Sequence, residues 1–148
     1  MSVHCQPETL QLLLKLNLFR GLDEAELMLL LEEAELVEFA EGESPIVEGE
    51  QGQFMFIILS GRLRIAKRSL GIQKVISELG PGECFGEMSL IEARSRSASV
   101  KALAACKLLR IDSDNMTRVP AIAAILYRNI AVLLSQRLRH ANDILTLG

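Results

Sequence analysis

The chain has 148 residues, 49% of them hydrophobic, with no Trp, one Tyr and a net charge of −3. That length supports one domain with a substantial core and no covalent staples. The mixed, slightly acidic charge excludes the basic field of a general nucleic-acid binder.

Cys5, Cys84 and Cys106 are odd in number and widely scattered. They have neither metal nor iron–sulfur spacing, and a disulfide framework is not expected, so a reduced, cytoplasmic location fits best. MSVHCQPETL lacks the pattern of a signal peptide, and charges interrupt every longer apolar run. Neither secretion nor a membrane anchor is expected.

In chain order, residues 8–20 carry leucines at helical spacing and end at Gly21. Asp23 then opens a second helix, with Glu26 three positions on as a capping box and Leu27, Leu30 and Leu31 on the core face. The middle of the chain alternates short apolar runs (LVEFA, PIVEG, FMFIILS, RLRIAKR, QKVISEL) with turn chemistry. Ser60-Gly61 reads as a hairpin between FMFIILS and RLRIAKR. SASVKALA and CKLLRID add two more strands, so seven or eight short strands suggest a sandwich, barrel or jelly roll. DSDNMTRV is expected to form one or two helical turns. From Ala121 to about Leu147 apolar residues recur every three or four positions. Such a helix reaches about 40 Å, more than a small barrel needs for cover, so part of its stripe is expected to face another chain.

Catalysis finds little support. A metal enzyme on a small barrel needs clustered His and carboxylate ligands, yet the only histidines are His4 and His140, one at each end. The same shortage removes His-based triads. Cys84 has no nearby base to activate it and reads as a small buried strand residue. A Walker-type phosphate loop is also missing, so the chain is not expected to be an enzyme and no resident cofactor or metal is implied.

Residues 82–100, GECFGEMSLIEARSRSASV, carry the main signal. Phe85 is an apolar plug, and Gly86 lets the backbone turn and approach something closely. Glu87, Met88, Ser89 and Leu90 can form one helical turn whose N–H groups point back beside Gly86, an anion-binding arrangement. Arg96 falls in strand register with Ala98, Val100 and Ala102, which aims a guanidinium inward. A buried guanidinium needs a partner. The partner is either Glu87, in a structural salt bridge, or an external phosphate gripped by the turn and a bidentate arginine. In the second case Glu87 is free to accept from ligand hydroxyls, and a sugar phosphate satisfies both halves. Arg94 shares the parity of Arg96 but reads as a solvated loop charge.

The run F-G-E-M-S-L-I, with Arg nine residues after the Glu and then S-A-S-V-K-A, closely resembles the phosphate-binding cassette of cyclic-nucleotide-binding domains. Those domains occur in catabolite activator proteins, cyclic-nucleotide-dependent kinases and cyclic-nucleotide-gated channels. LFRGLDEAEL, EGESPIVEGEQGQFMFIILSGRLRI and CKLLRID followed by a long helix extend the resemblance over essentially residues 10–147. It implies an α+β, mainly β fold: a β-roll or jelly-roll barrel with N-terminal helices and a long C-terminal helix. Residues 1–148 then form a single domain, with N-terminal helices over 1–33, the roll over 34–112 with its cassette at 82–100, and C-terminal helices over 113–148.

The resemblance also implies roles. Glu87 would accept the ribose 2′-hydroxyl, and the backbone of Gly86 and Glu87 would line the sugar phosphate within the cassette turn that includes Phe85, Met88 and Ser89. Arg96 would pair with the exocyclic phosphate oxygens. Ser97 would offer its N–H and its hydroxyl, although strand parity points the hydroxyl opposite to Arg96. Ala98 would leave room for the purine, and Asn142 would contact the base. Ile57, Leu59 and Leu63 are further candidates for the pocket wall. Ser97 after the arginine resembles the bacterial activator and points to cyclic AMP ahead of cyclic GMP. Gln53 departs from the family, which often has an acid there. In bacterial members the long helix both covers the base and pairs with a dimer mate. The expectation is a stand-alone cyclic-AMP sensor of bacterial type, a homodimer through its C-terminal helix that signals to an unknown downstream protein. With no winged helix before Gly148, DNA binding by the chain itself is not expected. The alternative is a ligand-free dimerisation or docking module with a degenerate site.

Overall fold

The computed structural model describes residues 6–92 and 94–147. His4 and Cys5 lie outside the described residues. The chain folds into two compact units, one running from Leu31 to Asn115 and the other joining the segment up to Leu30 with the segment from Met116 onward.

The helical unit begins with α1 (Pro7–Leu14), a 3-10 turn (Asn17–Phe19) and α2, whose range Glu24–Leu31 reaches the unit boundary. The first helix is shorter than the leucine spacing suggested, because the chain leaves α-helix at Lys15 and tightens into the 3-10 turn. Asp23 and Glu26 form the expected capping box. Asp23 N donates to Glu26 Oε1 at 3.1 Å, and Glu26 N donates to Asp23 Oδ1 at 2.8 Å. Leu27, Leu30 and Leu31 are all buried, as their spacing predicted.

After α4 (Ser113–Thr117), helix α5 (Pro120–Leu147) starts on a proline, whose missing N–H costs nothing in the first turn. Its apolar residues divide into two faces. Ile122, Ala123, Leu126 and Ile130 are buried. On the same face the buried Asn129 donates from Nδ2 to the carbonyls of Leu18 and Arg20 at 2.7 and 2.8 Å, tying α5 to the 3-10 turn. A second series, Tyr127, Ala131, Leu134, Leu138, Ala141 and Leu145, is exposed or half-buried. Its spacing alternates four and three, the repeat of a coiled-coil seam. By length and composition α5 is also apolar enough to cross a bilayer. Part of that apolarity is the face buried on the unit's own helices.

The second unit is a β-roll of two antiparallel sheets. One has the order β1 (Glu35–Phe39), β7 (Cys106–Asp112), β2 (Phe54–Ser60), β5 (Cys84–Phe85); the other has β4 (Ile72–Leu79), β3 (Leu63–Ser69), β6 (Ser99–Ala102). Phe56, Ile58 and Leu108 from the first sheet meet Leu63, Val100 and Ala102 from the second in the buried core. PIVEG contributes only a bridge, Ile46 to Val100.

The expected hairpin at Ser60-Gly61 is not one. β2 pairs with β5 and β7, whereas β3 pairs with β4 and β6, so this turn carries the chain from one sheet to the other. This crossover turn is also tightly packed. Gly61 has φ +98°, and a Cβ there would lie 2.5 Å from Cys106 Sγ and 2.7 Å from Ala105 O, so the turn is pressed against the start of β7.

The two-residue hairpin lies instead at Leu70-Gly71, between the paired residues Ser69 and Ile72, with φ of +55° and +77°. Positive φ at both positions is the mark of a type I′ turn. Leu70 is fully exposed and gains no burial there. Leu70→Asn is therefore expected to stabilise the protein by about 1 kcal/mol, because asparagine tolerates left-handed backbone better than leucine. Thermal unfolding should show a rise in Tm of about 3 °C; an unchanged or lower Tm would count against the turn assignment.

Candidate functional site

Five described residues are polar or charged and buried, and three of them, Glu87, Ser89 and Arg96, lie between positions 87 and 96. Such side chains stay buried only when their donors and acceptors are satisfied. Their clustering singles out this segment as the candidate site.

Phe85 ends β5 opposite Phe56, and the two ring centroids are 5.2 Å apart. Gly86 follows with φ +83°. A Cβ there would lie 3.0 Å from Ile46 Cδ1, 3.2 Å from Arg96 Nη1 and 3.2 Å from Phe54 O. Glycine is thus required twice, for the backbone angle and for the approach of Arg96. Glu87 is buried and leads into the single turn α3 (Met88–Ile91), on which Met88 points to solvent. Ser89 N donates to Gly86 O and Leu90 N to Glu87 O inside this turn. That takes these two amides out of the expected anion cradle.

Arg96 precedes β6 rather than beginning it. An extended pairing with the preceding loop holds it: Arg96 N donates to Glu50 O at 2.8 Å, and Gly49 N donates to Arg96 O at 2.9 Å. The expected parity survives this change. Arg96, Val100 and Ala102 are buried, Ala98 is half-buried, and Ser97 faces solvent. Arg94 is exposed and pairs with Glu92 at 3.5 Å, as a loop charge should.

The guanidinium of Arg96 finds acceptors that neither reading of the sequence foresaw. Nη1 donates to Ser89 Oγ at 2.6 Å and to Gly86 O at 3.2 Å, and Nη2 donates to Phe54 O at 2.7 Å. Ser89 Oγ lies 2.8 Å from Gly86 O and 3.1 Å from Phe54 O, so its proton closes the network. All three acceptors are neutral, so they satisfy donors without balancing the charge. Burial lowers the pKa of Arg96 from its ordinary value, nearby Arg110 lowers it further, and the Glu87 carboxylate works in the opposite direction. An arginine has five N–H donors. Three are used among the described residues, leaving one on Nε and one on Nη2 for a further acceptor.

Of the nine predicted site residues, Phe85, Gly86, Glu87, Met88, Ser89, Arg96, Ser97 and Ala98 lie in this one segment of the roll. Asn142 is exposed on α5, in the other unit. Leu63 belongs to the core of the roll, whereas Ile57, buried between Phe56 and Ile58, points to the opposite face of its sheet. Sequence reasoning missed Phe54 and Arg110. Phe54 acts through its carbonyl, which no residue type announces. Arg110 did leave a signal, because it shares inward parity with Cys106 and Leu108. A groove of about 360 Å³ lined by Ala66, Arg68, Gln73 and Ser99 among others is a separate feature. The Ala66–Ser99 pair faces away from the adjacent Ile65–Val100 pair, so this groove lies on the outside of the roll.

Comparison with known proteins agrees with this geometry. The family model described as "Cyclic nucleotide-binding domain" matches residues 36–121. The Cyclic AMP receptor protein of Thermus thermophilus is 35% identical over 130 residues, covering 84% of this chain and 58% of that protein. The crystal structure of Thermus thermophilus Catabolite Activator Protein superposes with a TM-score of 0.80 at 33% identity, covering 88% of this chain and 62% of the other. The regulatory domain of Toxoplasma gondii PKA, co-crystallised with cAMP, gives 0.70 at 29% identity, covering 74% and 42%. The chain spans about three fifths of the length of the curated relatives it matches. These relatives are regulatory proteins by name, and the family model's match spans most of the roll and the segment that buries Arg96. The chain belongs to the cyclic nucleotide-binding domain family.

Proposed function

We propose that this chain is a cyclic-AMP sensor, with Arg96 as the phosphate-binding residue and Glu87 as the acceptor for the ribose hydroxyl. Arg96 is the observation that carries the reading: a buried guanidinium with three neutral acceptors and, among the described residues, two N–H groups to spare. A singly charged phosphodiester supplies an anion in addition to Glu87 and the further acceptors. Gly86 lets Arg96 approach the turn, exposed Ser97 offers its N–H, and half-buried Ala98 leaves space for the base. Cyclic AMP is preferred to cyclic GMP because Ser97 follows the arginine as in the bacterial activator type. The names of the Thermus and Toxoplasma relatives point the same way.

The two units act as one domain in this proposal. Asn142 on α5 contacts the base, and closure of α5 over the bound nucleotide is the signal. Closure responds to ligand only if the closed form binds it better, and a lid that touches the base supplies that difference. The heptad series on α5 supports a homodimer, whose seam would change with the position of the helix. The downstream partner is then another protein in the same cytoplasm. Titration of the purified chain with cyclic AMP tests the proposal, with one site per chain expected.

A second reading has an observation in its favour. Arg96 already holds three protein acceptors, which is what a docking module without ligand would need. It predicts that cyclic nucleotides leave Tm unchanged and that Arg96→Ala costs stability alone.

A further inference from the structure

Arg96 shares its aromatic neighbour with a second arginine. The guanidinium carbon of Arg96 stands 4.6 Å from the centroid of the Phe54 ring, and that of Arg110 stands 4.1 Å from the same centroid. Phe54 and Arg110 come from adjacent strands, with Phe56 paired to Arg110 and Phe54 to Asp112, so they are diagonal neighbours on the inner face of the sheet. Arg110 is itself fixed: its Nε donates to Asp112 Oδ1 at 2.9 Å, and Asp112 N donates to Asn115 Oδ1 at 2.9 Å. Just before Phe54, Gln53 O accepts from Ser113 N at 2.9 Å. Covering the ring does not require a charge, since an aliphatic side chain at 110 would serve. Placing a second cation beside a buried one adds repulsion. The arrangement therefore suits a function better than it suits packing.

We propose that Arg110 is a positioning residue for Arg96: stacked on Phe54 and anchored by Asp112, it fixes the ring and carbonyl that orient the Arg96 guanidinium toward a ligand phosphate. The ligand part of this inference rests on the reading of Arg96 given above. Arg110→Gln is expected to weaken cyclic AMP binding about 3–10-fold, the scale of a partly desolvated cation–π contact. In a Phe54→Leu background the same change should cost less than about twofold, because the ring that transmits it is gone.

A ligand-independent readout accompanies the titration, namely the ¹⁵N heteronuclear NOE of the Arg96 Nε–Hε group in the free protein. It should be high in the wild type and fall toward flexible values in Arg110→Gln. Should Arg110→Gln fail to fold, Arg110→Lys takes its place with the same expected losses, since an ammonium lacks the flat guanidinium face. Unchanged affinity together with an unchanged NOE would overturn the inference. So would an equal loss in both backgrounds, which would make Arg110 a charge acting directly on the ligand. A wild type that binds no cyclic nucleotide would remove the reading of the site. The NOE alone would then decide the positioning role, a fall supporting it and no change overturning it.

Discussion

Arg96→Ala is expected to lower affinity for cyclic AMP at least about 30-fold, because removing one partner of a desolvated, hydrogen-bonded charge pair costs about 2–5 kcal/mol. Arg96→Lys should also lose about tenfold or more. It keeps the charge, but an ammonium cannot present the two parallel N–H groups of a guanidinium fork. Both variants should cost stability even without ligand. Gly86 O, Phe54 O and Ser89 Oγ lose a buried donor, and each orphaned acceptor that water does not reach costs about 1–3 kcal/mol. Titration calorimetry and thermal melting of the same samples therefore have to be read together. A loss of Tm with affinity retained would contradict the phosphate role of Arg96 and leave it only a structural one.

Leu138→Glu is expected to turn a dimer into a monomer. Leu138 lies midway along the exposed series from Tyr127 to Leu145 on α5 and is 64% exposed in the single chain. In a paired seam, two copies of Leu138 would face each other, and each buried leucine contributes about 2 kcal/mol. Replacing both with carboxylates should weaken self-association at least about 1000-fold. Sedimentation at micromolar concentration measures this directly. A monomeric wild type, with and without cyclic AMP, would refute the seam. So would a variant that stays dimeric.

Local features were legible in the sequence, and long-range pairings were not. The capping box of Asp23 and Glu26 needs only residues three apart, and it forms as expected. Ser60-Gly61 was correctly read as a turn but wrongly as a hairpin. Which strands a turn joins depends on distant partners, here β5 and β7 for β2 but β4 and β6 for β3. The inward aim of Arg96 followed from its parity with Val100 and Ala102, even though the strand itself starts only at Ser99. Its acceptors could not be foreseen, because two of the three are main-chain carbonyls that any residue provides. Arg110 was missed although the same parity rule applied to it; the ordinary look of CKLLRID hid it. In α5 the excess apolar length was visible from spacing, but its division into a buried and an exposed face required the burial of Ile122, Leu126 and Ile130.

Binding of a cyclic nucleotide at Arg96 is the expectation on which the other predictions depend. Isothermal titration of the wild-type chain with cyclic AMP, and separately with cyclic GMP, tests it most directly. The expected result is one site per chain, micromolar or tighter for cyclic AMP and weaker for cyclic GMP. No binding heat with either nucleotide, and no rise in Tm at millimolar concentrations of both, would contradict it.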